Sequence, residues 1–224
     1  MTSKISLDDA LHLRRSIYQL TKTSTISDDR IVEIVQDALE NCPSTFNSQS
    51  TRIVVLLKEE HTKFWKVVED TLKAIVPADQ FEHTAQRLTG FSGGYGTVSL
   101  TFWLHDDKPQ ADRVKILFYE DPEVTKGLQT KMPLYADKFP GWAEHTSAIH
   151  QYAIWTALEA EGLGANLQHY NPLPNQKASE IWGIPQEWPL IAQLVFGGVA
   201  EGARENLPKK DQTPIEKRLF VHGK

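Results

Sequence analysis

The sequence predicts helices and strands alternating around one apolar core, a fold of the α/β or α+β class. Three observations carry this. After Ser27, the residues Ile31, Ile34, Val35, Ala38 and Leu39 recur at helical spacing and bury one stripe. Residues 52–58 and 190–196 are continuous β-rich apolar runs, the pattern of strands covered on both faces. Residues 145–161 are apolar on more than one side through Ile149, Tyr152, Ala153, Trp155, Thr156 and Leu158, which marks a central, buried helix.

The other elements follow in chain order. Residues 7–13 read as a short helix ending at Arg14-Arg15-Ser16. Ser27 stands where an N-cap belongs, with Asp28 and Asp29 at the positive end of the helix dipole. Beyond the first strand, helical patterns run over residues 63–75 and 78–88 and close in Ser92-Gly93-Gly94-Tyr95-Gly96. That turn lacks the full dinucleotide fingerprint and a P-loop lysine, so it is read as a backbone turn before a strand. Residues 98–103 and 116–119 are strand candidates on either side of the polar stretch 106–112, and residues 133–142, with two prolines, are expected to be an ordered loop. Gly162 and Gly164 stop the central helix, a further helix over residues 175–182 ends at Gly183, and Gly197-Gly198 break the last buried strand. Residues 218–221 are a final strand candidate. No repeat, linker or low-complexity stretch interrupts the chain.

Composition narrows the class of function. The 224 residues carry a formal net charge of −5 and a pI near 5.9, which argues against a general nucleic-acid binder. A single cysteine, Cys42, excludes an internal disulfide and fits a reducing compartment; it reads as a small buried residue at a helix end rather than a reactive thiol. With no apolar run of membrane-spanning length and no signal-peptide core, a soluble, cytoplasmic protein is expected, a nuclear location staying open for a eukaryotic source. The eight histidines fall into no HExxH or paired-cysteine arrangement, so no metal site is expected. No Gly-x-Ser-x-Gly elbow is present either.

Four groups of residues could carry chemistry. The loop Cys42-Pro43-Ser44-Thr45-Phe46-Asn47-Ser48-Gln49-Ser50 stands between a helix and a strand. Asn47 and Gln49 each offer an acceptor oxygen and two donor hydrogens, Ser44 and Ser48 add hydroxyls, and such a set could read the edge of a flat heterocycle. The plain alternative is a polar surface loop. In Arg14-Arg15-Ser16, two guanidiniums and a hydroxyl suit a phosphate, although arginines ending a helix also simply complement its dipole. Lys209-Lys210 could close the same phosphate or be a solvated pair. Gln168 and His169 follow a glycine-rich stop; the histidine is either a proton donor or ring contact, or a hydrogen-bonded structural residue.

These pieces occur in one order, in which the chain resembles the FMN-dependent nitroreductase family, in its short fungal and bacterial branch. The matching stretches are Arg14-Arg15-Ser16, Pro43-Ser44-Thr45-Phe46-Asn47-Ser48-Gln49, Gly94-Tyr95-Gly96-Thr97, residues 133–140, Trp155-Thr156-Ala157-Leu158-Glu159 and, most specific, residues 161–172. The resemblance covers nearly the whole chain. It implies a single α+β domain over residues 1–224, built on a mixed central sheet flanked by helices, as an intertwined homodimer with FMN at the subunit interface. Carried over by position, Arg14 and Ser16 hold the FMN phosphate with Lys209 or Lys210, and Arg15 lies near the polar edge of the ring. Ser44, Asn47 and Gln49 contact the ring or ribityl chain, partly from the other subunit, while Gln168 and His169 lie against the ring. NADPH or NADH is the implied reductant and a small nitroaromatic or quinone-like molecule the oxidant. The flavin carries the chemistry and no catalytic side chain is required. A flavin-binding stress-response or regulatory protein, with incidental turnover, is the alternative; a flavin-free partner-binding protein is a third.

One departure stands out. The family pattern runs from Gly-Tyr-Gly-Thr almost directly into a strand like Ile116-Leu117-Phe118-Tyr119-Glu120-Asp121, whereas here the segment 98–115 intervenes. It is either a genuine insertion or a translated intron.

Overall fold

The computed structural model describes residues 5–98 and 117–224. The chain begins with α1 (Leu7–Leu13), capped by the Ser6 hydroxyl accepting from the Asp9 N–H, and the two-residue strand β1 (Leu20–Thr21). Next comes α2 (Asp28–Asn41), capped as expected by Ser27, whose hydroxyl accepts from the Arg30 N–H. The apolar run that follows is not one strand but two, β2 (Thr51–Ile53) and β3 (Val55–Leu57). Lys58, at φ 54°, ends β3 and opens α3 (Lys58–Ile75), earlier than the sequence pattern indicates. Then come α4 (Ala78–Ser92), β4 (Gly96–Val98) and β5 (Phe118–Glu120).

The helix α5 (Pro122–Lys131) goes beyond the sequence expectations, although its signals are present: Asp121 accepts from the Glu123 N–H, and Pro122 stands in the first turn. Residues 133–142 are a loop only in part. A 3-10 turn, Pro133–Tyr135, leads into α6 (Phe139–Ala160), whose second residue, Pro140, loses no helical bond there. The chain closes with β6 (Gly164–Gln168), α7 (Asn175–Trp182) and β7 (Leu190–Val199). Gly164 therefore begins a strand rather than stopping a helix. Likewise β7 runs through Gly197-Gly198 instead of breaking there, and residues 218–221 form no strand. Of the expected strand at 98–103, only Val98 is described; residues 106–112 lie outside the described residues.

The central sheet has β7 at its middle, with the order β2-β5-β7-β4-β3 and with β1 and β6 also paired to β7. All its described ladders are antiparallel, and the isolated Ser16–Ala165 bridge adds a parallel contact. Alternation along residues 53–57 separates two apolar layers. Ile53, Val55 and Leu57 pack with α2 and α6 through Ile31, Ile34, Ile154 and Leu158. Val54 and Leu56 pack with α3, α4 and α7 through Phe64, Trp65, Phe91 and Trp182. The sheet is thus sandwiched between helices, the α+β architecture expected.

Strands β4 and β5 occupy one line of this sheet. Val55 faces Val98 and Leu57 faces Gly96, so in an unbroken strand Ile53 would face residue 100; it faces Phe118. From the other side, Leu194 faces Val98, and Ala192 also faces Phe118 where residue 100 would stand. Both neighbours report the same displacement, with residue 118 in the place of residue 100.

Candidate active site

Two separate polar regions contain the residues singled out by sequence. The first surrounds the turn after α1. Ile17 donates its N–H to the Ala165 carbonyl at 2.9 Å, so the Arg14-Arg15-Ser16 turn lies along β6. The Arg14 guanidinium carbon sits 4.6 Å from the centre of the Trp155 ring and 5.8 Å from that of Tyr152, both on α6. Its Nε is buried and, among the described residues, lacks a hydrogen-bond partner. A buried guanidinium N–H left without a partner is a donor that an anion would satisfy.

Arg15 turns the other way and donates from Nη2 to the Pro208 carbonyl at 2.7 Å. That bond brings the C-terminal segment, with exposed Lys209 and Lys210, to the same turn. At the end of β6, Gln168 donates from Nε2 to Asn166 Oδ1 at 2.8 Å, and Asn166 in turn donates to the Ile17 carbonyl at 2.8 Å. His169, just beyond, is exposed. Hence Arg14, Arg15, Ser16, Gln168 and the approach to Lys209 are tied into one region through β6 and Pro208.

Beneath this region lies Glu159, the last residue of the Trp155-Thr156-Ala157-Leu158-Glu159 stretch. Glu159 is fully buried and accepts from the Arg15 backbone N–H at 3.2–3.3 Å, Trp155 Nε1 at 2.8 Å and Arg204 Nη1 at 3.0 Å. Arg204 also donates to the Leu163 carbonyl at 2.9 Å. Burial pushes the Glu159 carboxyl above its ordinary range, against the opposing pull of Trp155, Arg15 and Arg204. A glutamate one turn beyond a tryptophan, in the largely apolar last turns of the helix, was the available signal, since a buried carboxylate needs partners.

The second region is the loop after α2. Asn47 donates its N–H to the Ser44 carbonyl at 2.9 Å, Gln49 its N–H to Ser44 Oγ at 3.1 Å, and Gln49 Nε2 to Asn47 Oδ1 at 3.0 Å. The structure thus brings Ser44, Asn47 and Gln49 together. Phe46, Asn47 and Gln49 all have positive φ, 53°, 53° and 49°, an arrangement costing non-glycine residues roughly 1 kcal/mol or more each. Two anchors hold the loop against that cost. Phe46 packs with Tyr135, Phe139 and Trp142 at ring separations of 5.7–6.1 Å. Arg52 donates to the Gln49 carbonyl at 2.7 Å and pairs with Asp121 at 2.8 Å.

The loop opens onto a cavity of about 710 Å³ lined also by Arg52, His150 and Trp188. His150 Nδ1 donates to the Thr146 carbonyl at 2.8 Å, and burial holds its pKa below the ordinary value, leaving a neutral imidazole on the cavity wall. Cys42, half-buried at the end of α2, has its thiol pKa raised by burial, so it is protonated at neutral pH. Among the described residues no hydrogen bond joins this loop to the arginine turn, and no group of His, Cys, Asp and Glu is placed to hold a metal ion.

A helix-flanked sheet with β7 at its centre, a cationic turn beside it and a strained amide loop make up this α+β fold and its candidate site. The chain belongs to the nitroreductase family, whose model matches residues 11–198, and is accordingly an oxidoreductase. It is 35% identical to the HBN1 protein of Saccharomyces cerevisiae over 92% of this chain and 94% of that one. With the nitroreductase FRM2 of the same yeast it shares 31% identity over 84% and 86%. Among solved structures, the nitroreductase CinD of Lactococcus lactis in complex with nicotinic acid superposes with a TM-score of 0.80 at 35% identity, covering 97% of this chain and all of that one. The same protein in complex with 4-nitrophenol gives a TM-score of 0.78 at 34% identity, with the same coverage.

Proposed function

We propose that this chain is a single nitroreductase-like domain that binds FMN and uses NADPH or NADH to reduce nitroaromatic or quinone-like acceptors. The observation that carries the reading is the Arg14 turn, a guanidinium seated on Trp155 with a buried Nε free to donate. The donor set fits FMN. Arg14 and Ser16 are the phosphate ligands, joined by Lys209 or Lys210 from the segment that Arg15 tethers. Gln168 and His169 would hold the ring, and Arg15 would serve its polar edge. Ser44, Asn47 and Gln49 would contact the ring or ribityl chain, partly from a second copy of the chain, in keeping with the absence of a hydrogen bond between this loop and the arginine turn among the described residues.

When bound, FMN supplies the hydride chemistry that no side chain here can perform. The protein's part is to hold and orient. N–H donors fixed before the reaction stabilise negative charge where it develops on a ring edge, without reorganising at that moment. Reductant and oxidant then use one slot in turn, in two half-reactions. A flat aromatic occupant suits that slot, and the Lactococcus lactis relative was solved with two such molecules. The lone protonated Cys42 is compatible with a reducing, cytoplasmic setting.

The test is a visible absorption spectrum of purified protein, before and after FMN and then NADPH or NADH under nitrogen. Flavin bands that bleach with reductant and return with a nitroaromatic are the expected result; a colourless protein that takes up no FMN overturns the reading. Arg14→Ala should weaken FMN binding by roughly tenfold or more, because a charge-assisted bond to phosphate is lost. Fluorescence titration with FMN measures this.

A further inference from the structure

Glu159 joins three parts of the molecule around one carboxylate. It accepts from the Arg15 backbone N–H, from Trp155 Nε1 and from Arg204. Trp155 is the ring beneath the Arg14 guanidinium. Arg204 lies shortly before Pro208, whose carbonyl receives Arg15 Nη2. We propose that Glu159 is a positioning residue, which fixes the arginine turn and the lead-in to Lys209 in the arrangement that receives an anion before the anion arrives. This rests on the FMN reading above. Its chemistry is specific: the carboxylate fixes the turn's backbone through the Arg15 N–H and the orientation of the Trp155 platform through the indole N–H. Arg204 balances the buried charge, so Arg14 stays free for a ligand instead of being spent on its own protein.

Glu159→Gln keeps the volume but removes the charge and one acceptor oxygen. The experiment titrates wild type and variant with FMN and with riboflavin, which lacks the phosphate, by flavin fluorescence. Wild type should prefer FMN strongly; Glu159→Gln should lose on the order of tenfold in FMN affinity while riboflavin affinity holds. Trp155→Phe, which keeps the ring but loses the N–H, should fall in the same direction by a smaller factor and serves if Glu159→Gln fails to fold. Equal binding of FMN and riboflavin to wild type defeats the phosphate reading itself. A wild type that discriminates, beside variants that discriminate equally well, overturns the role of Glu159 alone.

A different observation carries a second inference. Residue 118 stands in the place of residue 100 as seen both from β7 and from the β2–β3 line. That displacement equals the length of the segment 98–115, so β4 and β5 join in phase if the segment is removed. The Val54 N–H already donates to the Leu117 carbonyl at 2.7 Å, the bond of the position that would follow Val98. This strand line is interior, flanked on both sides, whereas tolerated insertions fall at surface connections. We infer that residues 98–115 are dispensable to the folding unit and derive from a retained intron. Valine codons begin GT and lysine has a codon ending AG, so Val98 to Lys115 can carry the dinucleotides that bound a spliced intron.

Two shortened chains test this by thermal unfolding beside the full chain. Deleting residues 98–115 joins Thr97 to Ile116 in phase and should melt at or above the full-length protein. Deleting residues 98–116 shifts the strand by one position, turns every side chain to the wrong face and should melt well below it. Equal, low melting of both shortened chains overturns dispensability. Sequencing the transcript tests the origin: a message lacking the codons of residues 98–115 supports it, and their presence in every message overturns it.

Discussion

His61 shows how a single buried side chain makes stability depend on pH. Its Nε2 donates to the Phe91 carbonyl at 3.0 Å, so Nδ1 is the acceptor for the Thr97 hydroxyl at 2.7 Å, and Thr97 also accepts from Trp65 Nε1 at 3.2 Å. Burial is the main cause holding its pKa down to about 4, from 6.5. Above pH 6.5 both folded and unfolded chains carry the neutral ring; as pH falls from 6.5 towards 4, only the unfolded chain takes up the proton. Stability should therefore decline across that window, by on the order of 3 kcal/mol at full extent, and melting curves should show it. In His61→Gln this part of the pH slope should vanish, although the variant starts from a lower melting temperature. Asn47 is a strained residue, and the proposed FMN site would give that strain a use. With φ 53°, Asn47→Gly should relieve backbone cost and hold or raise stability by up to about 1 kcal/mol, while weakening FMN binding through the lost amide. Asn47→Ala should lose both, and paired melting and titration curves separate the two effects.

At the scale of elements, β7 is the member on which the others converge. A glycine pair inside a strand normally weakens it. Here it admits neighbours too close for any side chain. A Cβ on Gly197 would lie 2.6 Å from the Thr21 carbonyl oxygen and 2.7 Å from the Tyr95 nitrogen, both backbone atoms that cannot yield cheaply. On Gly198 it would lie within 2.5 Å of the hydroxyls of Thr21 and Thr23. Gly197→Ala should therefore cost roughly 2 kcal/mol or more and separate β1 from β7, read as a lower melting temperature and faster amide exchange at Thr21. The Arg14 turn leads into β1, so FMN affinity should fall with it.

The whole molecule presents an apolar groove of about 630 Å³ between α1 and α6, lined by Leu7, Leu11, Ile149 and Tyr152 among others. Leu7 is 74% exposed, and the C-terminal segment exposes Ile215, Leu219, Phe220 and Val221 as well. Surfaces of this kind on one copy are covered by another in an intertwined dimer, which the proposed division of the flavin site also requires. Sedimentation should find a dimer at micromolar concentration. Tyr152→Glu should shift it towards monomer and reduce flavin uptake in parallel; a monomeric wild type that binds FMN fully would refute the shared site. Among the described residues no helix is long and apolar enough to cross a membrane.

Local rules were enough for much of this. Capping by Ser27, the helical spacing after it, and the stop of α7 at Gly183, which takes φ 64°, are decided within a few residues of sequence, where propensity and hydrogen bonding act directly. The ordered set of motifs likewise named the family, and it singled out Arg14, Arg15, Ser16 and Gln168 in the first polar region and Ser44, Asn47 and Gln49 in the second. Tertiary structure decided what depends on partners distant in sequence. The glycines of β7 read as a break until β1 and Tyr95 are seen pressed against them. Residues 52–58 read as one strand until their pairing with β5 and then β4 divides them. Glu159 could be quoted in a motif, but its role as a buried hub depends on Arg15, 144 residues away in sequence, and on Arg204, 45 residues away, because a carboxylate inside a protein is defined by the donors folding brings to it.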